Sequence, residues 1–183
     1  MSDTIQVLTD GPAGQWWNEY AAGLENATDC HITVFFRTLT PASGAHGQRT
    51  EVLELLSAIR KRDIIDSYDV RILGGEVCLC ATCQGTDPAR QTLETVTELA
   101  SWRDGSVTST GFTEREVDCS ITGDQYRTLV PPETAVGTYL DDSLAGVFPC
   151  VSDGLHYSVM SFFQSLLDET AETKPNPELS RVR

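Results

Sequence analysis

Apolar residues recur at helical spacing in four segments of the chain. In segment 47–62 they follow the i, i+3, i+4, i+7 pattern from Val52 to Ile59, which places them on one face of a helix. A second helix start is marked by Asp87 and Pro88, because aspartate caps helix N-termini and proline is tolerated in the first turn. The pattern predicts amphipathic helices over residues 16–24, 47–62, 87–103 and 157–167.

Between these segments lie shorter runs rich in β-branched and aromatic residues, which favour strands. Gly74 and Gly75 separate two such runs, and this spacing predicts a tight hairpin. Asp141 and Asp142 separate two others and predict a second hairpin. The predicted strands cover residues 31–39, 67–73, 76–80, 107–121, 126–130, 135–140 and 145–150.

The order of these elements indicates the fold class. Helices with one apolar face need a sheet to cover, and the strands are too few and too short for a doubly wound domain. The sequence therefore predicts an α+β domain, a mainly antiparallel sheet with helices packed on one face in a ferredoxin-like arrangement. We expect an N-terminal appendage at 1–29, the domain at 30–169 and a disordered polar tail at 170–183. The adjacent Trp16 and Trp17 should pack on the domain or on a second chain, because exposure to water would be costly.

The net charge of the chain indicates the salt concentration to which the protein is adapted. The chain has 183 residues, 27 acidic and 13 basic, a formal net charge of -14. Such an excess makes a compact chain repel itself, but molar salt reduces the screening length to about 3 Å. Lys61 and Lys174 are the only lysines. These features favour a cytoplasm filled with concentrated salt. We expect neither a secretory signal nor a membrane span, because no apolar stretch approaches about 18 residues.

Basic residues form one short cluster, Arg60, Lys61 and Arg62, at the end of a predicted helix, where the helix dipole favours cations. Together with Arg49 they are the candidates for contact with nucleic acid, if the four form one basic face. The net charge disfavours binding to DNA phosphates. A protein partner or a homodimer is therefore the expected partner, ahead of DNA.

Three thiols lie within six residues, at Cys78, Cys80 and Cys83. In a reducing cytoplasm such a group favours metal or redox chemistry over disulfides. A Cys-x-x-Cys loop supplies two thiolates to zinc, and Cys78 would add a third. Two alternatives are a thiol redox switch and three inert cysteines, two of them small hydrophobic residues on a strand. The cofactor is accordingly none, or zinc.

A four-coordinate zinc site needs one further ligand. If Gly74 and Gly75 form a hairpin turn, the chain returns toward the start of the first strand. Cys30 or His31 is then the best-placed fourth ligand. The candidates ranked behind them are Cys119, Cys150 and His156.

Catalytic motifs are missing from the sequence. It contains no glycine-rich phosphate loop, zinc-protease motif, nucleophile elbow or dinucleotide fingerprint. His46 and His156 are expected to be structural or solvated. We therefore expect a protein that is not an enzyme.

Several short motifs support a family resemblance over about residues 31–169. They are Gln48-Arg49, Ile64-Ile65-Asp66, Ser120-Ile121-Thr122-Gly123, Pro149-Cys150 and Asp153-Gly154. With these motifs the chain resembles a family of small acidic haloarchaeal proteins, labelled as helix-turn-helix domain proteins or as uncharacterised. The resemblance implies a cytoplasmic haloarchaeal protein in transcription control and brings no known active site. The expected function is a non-enzymatic regulatory or interaction module, and the alternative is a zinc-binding or redox-sensing protein.

Overall fold

The computed structural model describes residues 15–118, 120, 121 and 123–172. The described residues form five helices: α1 (Gln15–Asn26), α2 (His46–Lys61), α3 (Ala81–Gln84), α4 (Asp87–Ser101) and α5 (Val159–Glu172). The four predicted helices correspond to α1, α2, α4 and α5. Residues 170–172 of the predicted tail belong to α5, and 173–183 lie outside the described residues.

Eleven strands are present in the described part of the chain, and they are short. They are β1 (Cys30–Phe36), β2 (Ser67–Ile72), β3 (Val77–Cys78), β4 (Arg103–Asp104), β5 (Val107–Ser109), β6 (Thr113–Asp118), β7 (Gln125–Val130), β8 (Thr134–Leu140), β9 (Ser143–Phe148), β10 (Cys150–Ser152) and β11 (Leu155–Tyr157). Their three sheets have the orders β2-β1-β8-β9, β11-β10-β5-β4 and β3-β7-β6. Every pair is antiparallel except β1 with β2. The predicted α+β class is confirmed, although the strands divide among three sheets and do not follow a ferredoxin-like order.

The helices cover the sheet formed by β2, β1, β8 and β9 on both faces. On one face, Tyr20 of α1 donates a hydrogen bond to Thr138 of β8, and Phe162 of α5 stacks on Phe148 of β9 with ring centroids 4.1 Å apart. A Cβ at Gly137 would point to the opposite face from the Thr138 side chain, because the side chains of successive strand residues alternate between the two faces of the sheet. A Cβ added there would lie 3.4 Å from Leu99 of α4. Helix α4 therefore departs from the predicted packing of all helices on one face.

Of the predicted appendage at 1–29, residues 1–14 lie outside the described residues, and helix α1 is part of the core. Trp17 and Tyr20 of α1 are buried in the main apolar cluster. Trp16 packs with Trp17 and Tyr20 and donates a hydrogen bond from Nε1 to Asp104. Of the two partners left open for the tryptophans, the structure shows the domain itself.

The two predicted hairpins have different outcomes. The hairpin at Asp141 and Asp142 is confirmed, since Leu140 pairs with Ser143 and both aspartates have positive φ, as the type I′ turn of a two-residue hairpin requires. The hairpin at Gly74 and Gly75 is wrong. Both glycine amides donate to the Arg37 carbonyl, so the chain passes the end of β1 and continues into another sheet.

Candidate metal centre

The three sulfur atoms predicted as metal ligands come together. The Sγ atoms of Cys78, Cys80 and Cys83 lie within 4.8 Å of one another, each in a partly exposed side chain. Strand β3 supplies Cys78, the following loop Cys80, and the one-turn helix α3 supplies Cys83. Among the described residues, no other group of three or more metal-ligating side chains approaches so closely.

Backbone amides hold the sulfur atoms in place. The Cys80 amide donates to Sγ of Cys78, and the Cys83 amide donates to Sγ of Cys80, both at 3.4 Å. The second contact is the N-cap of α3, because a helix N-terminus leaves amides without partners within the helix. The sequence predicts the Cys-x-x-Cys loop but not α3, whose four residues are too few to show helical spacing.

The hydrogen bonds give the thiols of Cys80 and Cys83 different pKa values. The pKa of Cys80 is lowered to about 7, chiefly because the Cys83 amide donates to its sulfur, with further hydrogen bonds from the Cys78 and Cys83 side chains. The pKa of Cys83 is raised to about 11, because the hydrogen bond to Cys80 retains its proton. One thiolate is therefore available near neutral pH, which suits both metal binding and thiol chemistry.

Cys30, the predicted fourth ligand, is not brought to this group. Its strand runs parallel to β2, so Gly74 lies at the Phe36 end of β1, about 20 Å from the Cys30 end at roughly 3.3 Å per residue. The three residues from Gly75 to Cys78 span at most about 10 Å, so Cys78 does not reach the level of Cys30. Burial instead raises the pKa of the Cys30 thiol to about 12.

His31, the other candidate fourth ligand, has both ring nitrogens engaged elsewhere. Nδ1 lies 2.8 Å from the Ser67 hydroxyl and Nε2 lies 3.1 Å from the Thr33 hydroxyl. The Asp69 carboxylate is 3.6 Å from Nε2, beyond hydrogen-bond distance. These polar contacts connect the adjacent strands β1 and β2. No spacing in the sequence indicates them, because α2 separates the two strands along the chain.

Of the lower-ranked ligands, Cys150 and His156 lie in strands of another sheet and do not join the three sulfurs. Cys150 is buried in β10, where burial raises the pKa of its thiol to about 12. His156 lies in β11, opposite Val151. Cys119 lies outside the described residues. Because the described residues add no fourth ligand to the three thiolates, one zinc coordination position is left to water, an external ligand or a residue outside the described ranges.

The four predicted nucleic-acid residues do not form one surface. Arg49 turns inward, with its side chain 14% exposed, where it donates to the Thr38 and Leu39 carbonyls. Its guanidinium also lies 4.3 Å from the centre of the Phe36 ring. Arg60 lies eleven residues further along α2, about 16 Å at a rise of 1.5 Å per residue.

The basic cluster at the C-terminal end of α2 also makes contacts within the fold. Arg60 pairs with Asp63 at 3.0 Å, and Arg62 donates to the Leu167 carbonyl of α5 at 3.2 Å. Arg60 and Lys61 lie in the last turn of α2, as predicted from the dipole argument.

Two consecutive helices with no strand between them occur once in the described residues, at α3 and α4. Gly85 and Thr86 form the turn between them. Helix α2, by contrast, continues into β2, as the sequence predicts. The three cysteines therefore stand at the entry to the one helix–turn–helix connection of the described chain.

Comparison with known proteins identifies the family. The family described as "Helix-turn-helix domain" matches residues 24–171, from the end of α1 to the end of α5. No curated protein and no solved structure matches the chain. None of the helices in the described ranges is long and apolar enough to cross a membrane. Because the match covers well over half of the sequence and nearly the whole described fold, the chain belongs to this family of helix-turn-helix domain proteins.

Proposed function

We propose that this protein is a non-enzymatic regulatory module acting in transcription control in the cytoplasm of a halophilic archaeon. The observation that carries the proposal is the family match over residues 24–171, which spans the domain and not a fragment of it. A net charge of -14 supports the halophilic setting.

The charge distribution favours regulation through protein contacts over direct contact with DNA phosphates. Helix α4, which follows the helix–turn–helix connection, exposes Glu94 and Glu98, and its Arg90 is paired with Asp87. Negative side chains on this helix would repel the phosphates of a DNA groove. Arg49 is held inside the fold by its carbonyl partners.

The test combines a gene deletion with DNA binding by the pure protein. Deletion should change a limited set of transcripts, and cross-linked cells should yield the protein with chromatin at those genes. The purified protein should show no retention on the recovered DNA in molar KCl. Unchanged transcripts after deletion would contradict the regulatory role.

Two arginines serve as matched probes of direct DNA binding. Arg60, in the last turn of α2, and Arg90, in α4, each form an exposed i,i+3 ion pair. When the Arg60→Glu or the Arg90→Glu protein is expressed in the deletion strain, each should restore wild-type transcript levels. Loss of chromatin recovery with Arg60→Glu alone would instead assign DNA contact to the end of α2.

Binding of zinc by the thiolate group is a second candidate function. The specific observation is the approach of three sulfurs within 4.8 Å, with amides already directed at two of them. Zinc bound there would link β3 to α3 and thus stabilise the connection to α4, since structural zinc contributes directly to folding.

Metal analysis of protein purified without chelator tests this candidate. We expect roughly one zinc per chain, as structural zinc sites hold a single ion. Cobalt substitution should produce a thiolate charge-transfer band. Both signals should disappear in Cys80→Ser with Cys83→Ser and persist in Cys150→Ala, whose sulfur is buried elsewhere. Sub-stoichiometric metal in the wild-type protein after refolding with zinc would remove the candidate.

A further inference from the structure

Strand β2 lies at the edge of the four-stranded sheet β2-β1-β8-β9. All six of its residues, Ser67 to Ile72, are exposed. Within the described residues β2 pairs only with β1, through an uninterrupted register of six residues. Its outer edge therefore presents backbone donors and acceptors without strand partners in this part of the chain.

The exposed side chains on this strand include an apolar row. Tyr68, Val70 and Ile72 alternate with polar residues, so they lie on the same face, and they are 40%, 44% and 43% exposed. Natural edge strands are commonly protected by lysine, proline or a bulge. Strand β2 has no lysine, proline or bulge, and its two charged residues, Asp69 and Arg71, have opposite signs.

The backbone groups of the same three residues point outward. The Leu73 amide donates to the Phe36 carbonyl, whereas the Arg37 amide donates to Glu133 on the other side of β1. Because the N–H and C=O groups of successive strand residues point to alternate edges, the odd-numbered residues of β2 face β1. The N–H and C=O groups of Tyr68, Val70 and Ile72 are thus directed away from the sheet.

The sequence of β2 is complementary to itself in one antiparallel register. With Val70 opposite Val70 of a second copy, Tyr68 of each copy faces Ile72 of the other. Asp69 of each copy then faces Arg71 of the other, so two opposite-charge pairs form across the strands.

Other registers lack this complementarity. A shift of one residue would place outward groups opposite groups already bonded to β1. A relative shift of two residues would bring Asp69 opposite Asp69, or Arg71 opposite Arg71, and like charges directly opposite are destabilising. The charge pattern therefore selects the register centred on Val70.

From these observations we propose that two copies of this chain form a homodimer through antiparallel pairing of their β2 strands. The two four-stranded sheets would join into one continuous sheet across the molecular twofold axis. Each of the three facing pairs formed by residues 68, 70 and 72 exchanges two backbone hydrogen bonds. The proposal does not depend on the role in transcription.

The ion pairs that β2 forms within one chain are compatible with the proposed pairing of two β2 strands. In the single chain, Asp69 lies 3.8 Å from Arg71 and 3.6 Å from His31. The Asp69 and Arg71 side chains remain 55% and 60% exposed, so both can turn toward a partner. Dimer formation would thus replace the weak Asp69–Arg71 contact within each of the two strands by two contacts between the strands.

Sedimentation equilibrium in molar KCl tests the interface with two matched variants. Val70→Lys places two lysines opposite each other at the twofold axis and should raise the dimer dissociation constant by about tenfold or more. Tyr126→Lys changes a similarly exposed apolar residue in β7 and should leave the dimer intact. Circular dichroism of both variants verifies the fold. A wild-type monomer, or a dimer equally resistant to both substitutions, would overturn the proposal.

Charge exchange between chains tests the register. Asp69→Arg and Arg71→Asp should each be monomeric at the lowest KCl concentration that preserves folding, because each places like charges face to face. An equimolar mixture of the two variants should form a heterodimer, and the double variant should again form a homodimer. Equal dimerisation of both single variants would exclude the register centred on Val70.

Hydrogen exchange on the wild-type protein provides a measurement that requires no variant. The amides of Tyr68, Val70 and Ile72 should become protected as the protein concentration rises, whereas those of Asp69 and Arg71 should be protected at every concentration. Rapid exchange at residues 68, 70 and 72 in the dimer would overturn the proposal. So would protection of these three amides in a monomer, since another segment of the same chain would then cover the edge.

Discussion

At the scale of single residues, the same side chain acquires different chemistry from the groups that touch it. Cys80 accepts a hydrogen bond from the Cys83 amide, and its pKa is lowered to about 7. Cys150 is buried among apolar side chains, and the pKa of its thiol is raised to about 12. Residue type alone therefore does not distinguish a reactive thiol from an inert one.

Alkylation of the metal-free protein should reveal this difference. Below its pKa a thiol is protonated and a poor nucleophile. The rate at Cys80 should rise as the pH passes about 7 and then level off, whereas the rate at Cys83 should still be rising near pH 10, below its pKa of about 11. Mass spectrometry of peptides from timed iodoacetamide reactions measures both rates. Parallel pH profiles for the two residues would contradict the assignment.

At the scale of elements, contacts between a side chain and a neighbouring segment hold helices and strands in position. Arg49 ties the first turn of α2 to the segment after β1 through the Thr38 and Leu39 carbonyls. The planar guanidinium also covers the Phe36 ring. A residue predicted to contact nucleic acid is thereby a positioning residue of the fold.

Arg49→Lys tests this role. Lysine cannot donate two hydrogen bonds in the same fork geometry, so the free energy of unfolding should fall by about 1 to 2 kcal/mol. Arg60→Lys, in an exposed ion pair, should change it little. Urea unfolding in molar KCl compares the two variants. Equal stabilities would show that the carbonyl contacts of Arg49 contribute nothing specific.

Strand β9 contains a second element-scale constraint at Gly146. A Cβ at this position would lie 2.7 Å from the Thr138 hydroxyl and 2.9 Å from the Tyr20 ring. Gly146→Ala should therefore lower the free energy of unfolding by about 1 to 3 kcal/mol. Gly47→Ala is the matched control, because a Cβ on that helical residue meets nothing within 4 Å, and it should stabilise by up to about 1 kcal/mol. Thermal unfolding of both variants provides the comparison, and a stabilised Gly146→Ala would contradict the close packing of α1 on β9.

At the scale of the whole molecule, net charge acts on both folding and association. Each chain has a formal charge of -14, so two chains together have -28. This repulsion is long-ranged in dilute buffer and short-ranged in molar salt, where the screening length is about 3 Å. Salt should therefore favour the compact chain and its self-association together.

Unfolding measured across a KCl series tests the charge argument. The free energy of unfolding should rise from dilute buffer to molar KCl, because the folded state brings like charges closer together than the unfolded state does. Urea titrations should show a higher midpoint with a similar slope. Equal stability in dilute buffer and in molar KCl would contradict the expectation of a salt-adapted protein.

Local patterns in the sequence predict the features that depend on neighbouring residues. The apolar spacing of α2, the N-terminal proline of α4, the Asp141-Asp142 turn and the closeness of Cys78, Cys80 and Cys83 are all short-range. Helical period, turn conformation and loop length decide them, and these are visible within a window of about 18 residues. The sequence by itself determined the α+β class and the thiol group for this reason.

Tertiary structure decided the features that depend on strand pairing. The parallel pairing of β1 with β2 sent the chain after Gly75 into another sheet and kept Cys30 from the thiol group. It also left β2 at the edge of the sheet, where no other strand of the described residues covers its outer side. These outcomes follow from contacts between residues tens of positions apart. No local pattern specifies such contacts, because each strand has two edges and its sequence does not state which strand will occupy them.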